Sequence, residues 1–219
     1  MRRRCALSWS TLWMGVVLFI GGPGCVDEEP MAVYATEVVS FDPGDGAGYG
    51  AEQMPDVVLG PPDGRGTMSA SLDVVSLGAG GEIVVGFGDR IIKNGEGADF
   101  VVFENPFWPG GDEEQVYAEL GEVSVSEDGQ EWHHFSCAYE VDDPPPYDGC
   151  AGWTPTLDYD TEAAAPLDPE RSGGDAFDLG DIGVERARYV RIRDIWGLGE
   201  APTRGFDLDA VGLIHHGPI

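Results

Sequence analysis

The side chains in this chain that could do chemistry are overwhelmingly carboxylates: 40 Asp and Glu stand against 12 Lys and Arg, with four His and four Cys. The histidines come as two adjacent pairs, His133-His134 and His215-His216. Neighbours on a strand point to opposite faces, so neither pair can chelate from one face. No H-E-x-x-H helix and no G-x-S-x-G elbow occurs. A glycosidase needs only two carboxylates at a set separation, and so many acids supply such a pair without meaning. The chain is therefore read as non-catalytic.

Cation binding has better footing, because calcium takes oxygen ligands from carboxylates and loop carbonyls. Three groups of acids fall in turns or at strand ends: Asp42 with Asp45; Asp175, Asp178 and Asp181; Asp207 with Asp209. Glycines surround the first two groups. The spacing of Asp207 and Asp209 puts both on one face of a strand, opposite Phe206 and Leu208. The expected metal ligands are Asp207, Asp209, Asp42 and Asp45, with calcium in a structural role. No D-x-D-x-D-G loop is present, so this is not an EF-hand. For any one of these acids a solvated, turn-capping role is the alternative.

A second chemistry lies in aromatics set in turn-rich segments: Trp108, Trp153 and Trp196, with Phe107, Tyr147 and Tyr159. A tryptophan face suits stacking on a sugar ring, while nearby polar groups fix hydroxyls. Trp108, Trp153, Asn105 and Arg204 are the expected ligand-binding residues. Trp196 follows a strand so closely that it reads as a cap on the core, and Trp132 reads as core.

The elements that must hold these residues are strands. Gly (33) and Pro (16) are plentiful, apolar runs are short, and no long helical period is visible, which argues an all-β sandwich. In 121–137, GEVSVSEDGQEWHHFSC, Val123 and Val125 alternate with serines, Asp128-Gly129 reverses the chain, and Trp132 and Phe135 return. Residues 187–193, ARYVRIR, set arginines on one face with Tyr189, Val190 and Ile192 packing around the other. The first strand is expected at 32–41. Segments 71–77 and 81–87 read as a hairpin across Gly78-Ala79-Gly80. Residues 100–103 are all apolar, as in a strand covered on both faces. Residues 138–180 form the longest stretch without strand signal, and the last strands fall at 187–194 and 206–214.

The string V-x-V-S-x-D-G-x-x-W at 123–132 resembles the central hairpin of discoidin-like domains in the galactose-binding-like superfamily. ARYVRI at 187–192 resembles a later strand of the same group, and GFDLDAV at 205–211 its closing strand. From 74 to 214 the chain resembles bacterial cell-surface proteins of uncharacterised function. The resemblance implies a galactose-binding-like (discoidin-like) jelly-roll β-sandwich with long loops. It also implies a calcium between the first strand and an acid of the last, a role Asp207 or Asp209 would inherit.

The chain opens on Arg2-Arg3-Arg4, an apolar run at 12–20, and Gly21-Gly22-Pro23-Gly24-Cys25. That run is too short for a span and reads as an export signal over 1–24. Cys25 sits where a lipoprotein signal places its acylated cysteine, a reading preferred here to ordinary cleavage beside a bystander thiol. Residues 25–31 form an acidic tether, and 32–219 one sandwich domain. Cys137 and Cys150 remain, and export to an oxidising compartment pairs them as a disulfide. A net charge of −28 repels nucleic acid and anionic headgroups, so membrane contact comes only through the anchor. The expected function is an envelope-anchored recognition module, on the outer membrane or cell surface and otherwise secreted, binding glycan or a surface protein. The alternatives are a structural or assembly component of the envelope and, less favoured, an accessory hydrolase.

Overall fold

The computed structural model describes residues 33–139, 145–157 and 166–219. The expected export signal and tether, Cys25 and Tyr159 lie outside the described residues. In chain order the strands are β1 Val33–Tyr34, β2 Glu37–Asp42, β3 Val75–Ser76, β4 Glu82–Gly86, β5 Arg90–Lys93, β6 Phe100–Glu104 and β7 Gly121–Ser126. Then follow β8 His133–His134, β9 Cys150–Ala151, β10 Asp175–Phe177, β11 Arg186–Ala187, β12 Tyr189–Asp194, β13 Asp207–Leu213 and β14 His216–Pro218. One α-helical turn, Pro169–Ser172, is the only α-helix among the described residues.

The protein is an all-β sandwich. One sheet runs β1-β13-β6-β10, with β3 also on β13; the other runs β2-β4-β12-β7-β8, with β9 also on β7. A small third sheet, β11-β5-β14, lies alongside. Every pairing is antiparallel. The main core fills the space between the two large sheets, with Phe100, Val102, Phe206 and Leu208 from one and Ile83, Val85, Val123, Val125, Val190 and Ile192 from the other. β6 is covered on its outer face too, where Val101 and Phe103 pack with Leu167 and Ala210. That double cover is why its sequence does not alternate.

The expected first strand is two, because the chain leaves β1, which pairs with β13, and enters β2, which pairs with β4 in the opposite sheet. The expected hairpin of 71–77 with 81–87 does not form. β3 pairs with β13 while β4 joins β2 and β12, so Gly78-Ala79-Gly80 carries the chain from one sheet to the other. The close approach demands glycine: a Cβ on Gly81 would lie 1.9 Å from the Leu77 carbonyl oxygen.

The central hairpin forms, with Val125 opposite His133 and Ser124 opposite His134, but the serine face expected towards water is buried as well, Ser124 and Ser126 being almost fully covered. At its tip Asp128 Oδ1 accepts from the backbone N–H groups of Gln130 and Glu131, and these bonds lower its pKa. Gly129 there takes φ +74°, a conformation that side chains resist. Trp132 is not core. It is half-buried beneath the Arg191 guanidinium, 4.2 Å from the ring centroid, because its turn leaves it over the polar face of β12. The core aromatic of the hairpin is Phe135, which packs edge-on against Phe100 and Phe177 of the facing sheet. On β12, Val190 and Ile192 are buried, whereas Tyr189 shares the arginine face. Cys137 and Cys150 form a disulfide. Within 138–180, β9, the helical turn and β10 supply structure whose pattern is too short to read from sequence.

Candidate functional site

Three carboxylates meet at one end of the sandwich. Glu104 closes β6, Asp207 opens β13, and Glu119 lies just ahead of β7. One oxygen from each falls within 4.8 Å of the other two. The residues are only 1%, 7% and 3% exposed, respectively. Pairing of Leu208 with Glu104, and of Asp207 with Ser76, sets two of the acids side by side. Glu119 arrives from the lead-in to the second sheet, so the cluster bridges both layers.

Few protein groups serve these oxygens. The Ser76 hydroxyl donates to Asp207 Oδ1, and Asn105 Nδ2 donates to Asp207 Oδ2 at 3.4 Å and to the Ser71 carbonyl at 2.9 Å. Asp207 N–H donates weakly to Glu104 Oε1 at 3.4 Å. Glu104 Oε2 and Glu119 Oε1 have no hydrogen-bond partner among the described residues. Burial, with the charges of Asp207 and Asp194, pushes the Glu119 pKa to about 8. Burial with the Asp207 and Glu119 charges holds Glu104 well above the usual carboxylate range. Asp207 rises to about 6 through burial, opposed by its bonds to Ser76 and Asn105. The Tyr117 phenol is raised as well, by burial and then by the negative charges of Glu119, Asp207 and Glu104. Three such groups cannot all ionise together without a counterion. The arrangement can store protons or hold a cation.

Loops close over this end. Trp108 N–H donates to the Thr67 carbonyl at 2.8 Å, which joins the segment after β6 to 66–73, as Asn105 does through Ser71. The Tyr49 hydroxyl reaches the Leu72 carbonyl at 2.9 Å, and its N–H reaches the Pro202 carbonyl at 2.8 Å. A Cβ on Gly199 would lie 3.4 Å from Glu119 Oε1, so the loop before β13 passes beside the cluster. Met68, Leu72, Tyr117 and Leu198 on these segments are exposed, and Tyr117 stacks on Phe107 with centroids 5.4 Å apart.

Of the expected metal ligands, only Asp207 belongs to the cluster. Phe206 and Leu208 enter the core as the alternation requires, but a β-bulge between Leu208 and Ala210 separates Asp209 from its neighbour's surroundings. Asp209 Oδ1 accepts from Asp63 N–H at 3.1 Å, and its other oxygen is unpartnered among the described residues. Burial raises its pKa to about 8, with the Asp73 and Asp63 charges adding to the shift. Asp42 is exposed at the end of β2. Asp45 and Arg204, expected in two different roles, are paired with each other at 2.7 Å, and Arg204 also donates to the Gly197 carbonyl. That pair fastens one turn to another. Asn105 is there, bonded to Asp207 rather than offered outward. Trp108 is half-buried at the start of the turn Pro109–Gly111. Trp153 packs edge-on against Tyr147 and donates Nε1–H to the Cys150 carbonyl, so it serves a small satellite core together with Trp196. Asp175 is buried with its Oδ2 accepting from Gly152 and Trp153 N–H groups, and Asp178 caps Gly180.

Glu104 and Glu119 stand apart from the three acid groups of the sequence. Their signal is of another kind: a carboxylate inside an apolar run, FVVFE in one case and AELGEV in the other. A charge so placed must be buried unless the run is surface.

No protein-family profile matches the chain. No curated protein matches it in sequence. Among solved structures it is similar to the C-terminal domain of a chitobiase from Bacteroides fragilis, with 13% identity over 84% of this chain and 94% of that one and a TM-score of 0.42.

Proposed function

We propose that the chain is a non-catalytic recognition module that binds through the loop end of the sandwich, with saccharide as its ligand class. The observation that carries this reading is the placement of exposed apolar side chains. Of the six large exposed hydrophobics among the described residues, Met68, Leu72, Tyr117 and Leu198 lie on the loops that close over the carboxylates. Exposed apolar groups gathered at one place mark a binding surface more often than scattered ones do. The half-exposed Tyr117 ring, held by its stack on Phe107, offers a flat face of the kind that meets a sugar. The hairpin and the ARYVRI strand support the same reading through their resemblance to galactose-binding-like sandwiches. Export and a lipid anchor at Cys25 would place the module on the envelope, where an assembly role with a protein partner is the alternative.

A glycan array followed by titration calorimetry tests the proposal. Binding that falls at least tenfold in Tyr117→Ala supports it. Silence across neutral and acidic glycans, together with a stoichiometric protein crosslinked in cells, would replace it with the assembly role. A hydrolytic reading draws on the unequal acids, Glu119 near 8 and Asp207 near 6. Their burial beneath the loops speaks against substrate access, and turnover abolished by Glu119→Gln would be needed to establish it.

A further inference from the structure

We propose that Glu104, Glu119 and Asp207 form a binding site for one hard divalent cation, taken as calcium in preference to magnesium. One ligand, Asp207, is shared with the site that the superfamily resemblance implies; Glu104 and Glu119 lie on neither the first strand nor the last and are no part of it. It also goes beyond the saccharide reading and does not depend on it.

The first ground is convergence. Three carboxylates from three separate segments bring an oxygen each within 4.8 Å of the others, while almost wholly buried. Oxygens on either side of a calcium ion are spanned by two bonds of about 2.3–2.6 Å, which fits that separation. The second ground is the two orphan atoms, Glu104 Oε2 and Glu119 Oε1. Ionised, each is an acceptor with no donor; protonated, each is a donor with no acceptor. A buried polar atom left in either state destabilises the fold. A bound cation satisfies both oxygens at once and cancels the repulsion that gathers around them.

The donor set decides the class of ion. Carboxylate oxygens, with a hydroxyl and a carboxamide close by and neither Cys nor His in the cluster, select hard cations over zinc or copper. The choice between calcium and magnesium follows from how the ligands are carried. They stand on a strand end, a strand start and a loop, an irregular shell that calcium accepts. Magnesium demands a near-ideal octahedron and gives up its waters reluctantly.

Chelator-treated protein comprising the whole sandwich domain is the sample, titrated with calcium chloride and magnesium chloride in moderate salt. Calorimetry is expected to give one calcium per chain, and the melting temperature is expected to rise by several degrees with calcium and much less with magnesium. Glu119→Gln and Asp207→Asn are each expected to weaken calcium binding more than tenfold, while Asp45→Asn, in the exposed pair with Arg204, leaves it unchanged. Equal shifts with the two ions that vanish in salt would show a diffuse acidic surface and overturn the site. So would cluster variants that bind no worse than the control. Should a cluster variant fail to fold, terbium decides on the wild-type domain. Its emission, excited through nearby Tyr117, is expected to fall in Tyr117→Phe and to be displaced by calcium. Emission that calcium does not displace would overturn the proposal as well.

Discussion

Two sets of buried acids sit in this sandwich, and their surroundings are opposite. Asp194 accepts from the N–H groups of Gly80, Gly197 and Phe206, at 2.9, 3.3 and 3.0 Å. Asp99 accepts from Gly95 and Leu179 N–H groups and meets His215 Nδ1 at 2.9 Å. Each of these carboxylates acts as a backbone clamp: Asp194 fastens the sheet-to-sheet crossing to the loop before β13, and Asp99 fastens the segment before β6 to the turn after β10. Glu104 and Glu119 are as deeply buried, yet each keeps an oxygen that nothing among the described residues serves. Burial alone therefore does not make an acid a clamp; the backbone donors aimed at it do.

The difference can be broken most directly at Asp194. Asp194→Ala leaves three backbone donors without an acceptor, one of them the buried Phe206 N–H, and is expected to cost about 3–5 kcal/mol by denaturant unfolding. Glu119→Ala should cost far less in chelator. If the two losses are alike, the distinction drawn between the sets is wrong.

Backbone strain gives the next largest effect and serves as a reference outside the cluster. Gly129→Val must place a β-branched residue at φ +74° in the hairpin tip, at about 1–3 kcal/mol. Melting curves should show that loss with the calcium response intact, since the tip shares no residue with the carboxylate end.

The acid dependence sharpens the comparison further. Glu119 rises from 4.5 to about 8 and Asp207 from 3.8 to about 6, so between these limits the folded state holds protons that the unfolded chain has released. Without cation, stability should fall as pH climbs from 5 to 8, and Asp209, also near 8, pulls the same way. Glu119→Gln should flatten part of that slope and raise the cation-free melting temperature at pH 8 by ~2–4 °C. With calcium the trend should reverse, because the ion replaces the protons. A cation-free profile that rises towards pH 8 would contradict the burial of these charges.

The smallest effect belongs to the exposed pair. Asp45→Asn removes a surface salt bridge with Arg204 and is expected to change stability by less than about 1 kcal/mol. Thermal melts in low and high salt check it.

Much of the sandwich was legible because burial writes itself into strand patterns. The burial of Val123 and Val125, the unbroken run in β6, and the reversal at Asp128-Gly129 each have one local cause. What failed depended on partners. Segments 71–77 and 81–87 look like a hairpin because nothing local says that their buried faces belong to different sheets. Trp132 reads as core by its size, whereas Arg191 across the sheet decides its place. At the site Asp207 was legible from its strand position. Asp45 and Arg204 pair with each other across 159 residues, a contact that no local pattern announces. Glu104 and Glu119 are single acids beside short apolar stretches, and what gathers them at Asp207 is strand pairing and a loop path that no local pattern states.

The partners of β13 have a consequence for how the chain must reach this state. That strand lies between β1 and β6 and also holds β3, so the sheet acquires its middle from a segment near the end of the sequence. Val33 has no ladder partner until Leu213 arrives. Each such closure costs chain entropy before any contact repays it, which places the domain among slow-folding topologies, in the millisecond-to-second range. A ribosome or a translocation channel releasing this chain from its N-terminus would therefore deliver most of it before the first sheet could close. Until then the apolar edges of β1 and β6 would stand open to other chains, and assistance at that stage, rather than stability at the end, would limit the yield of native protein.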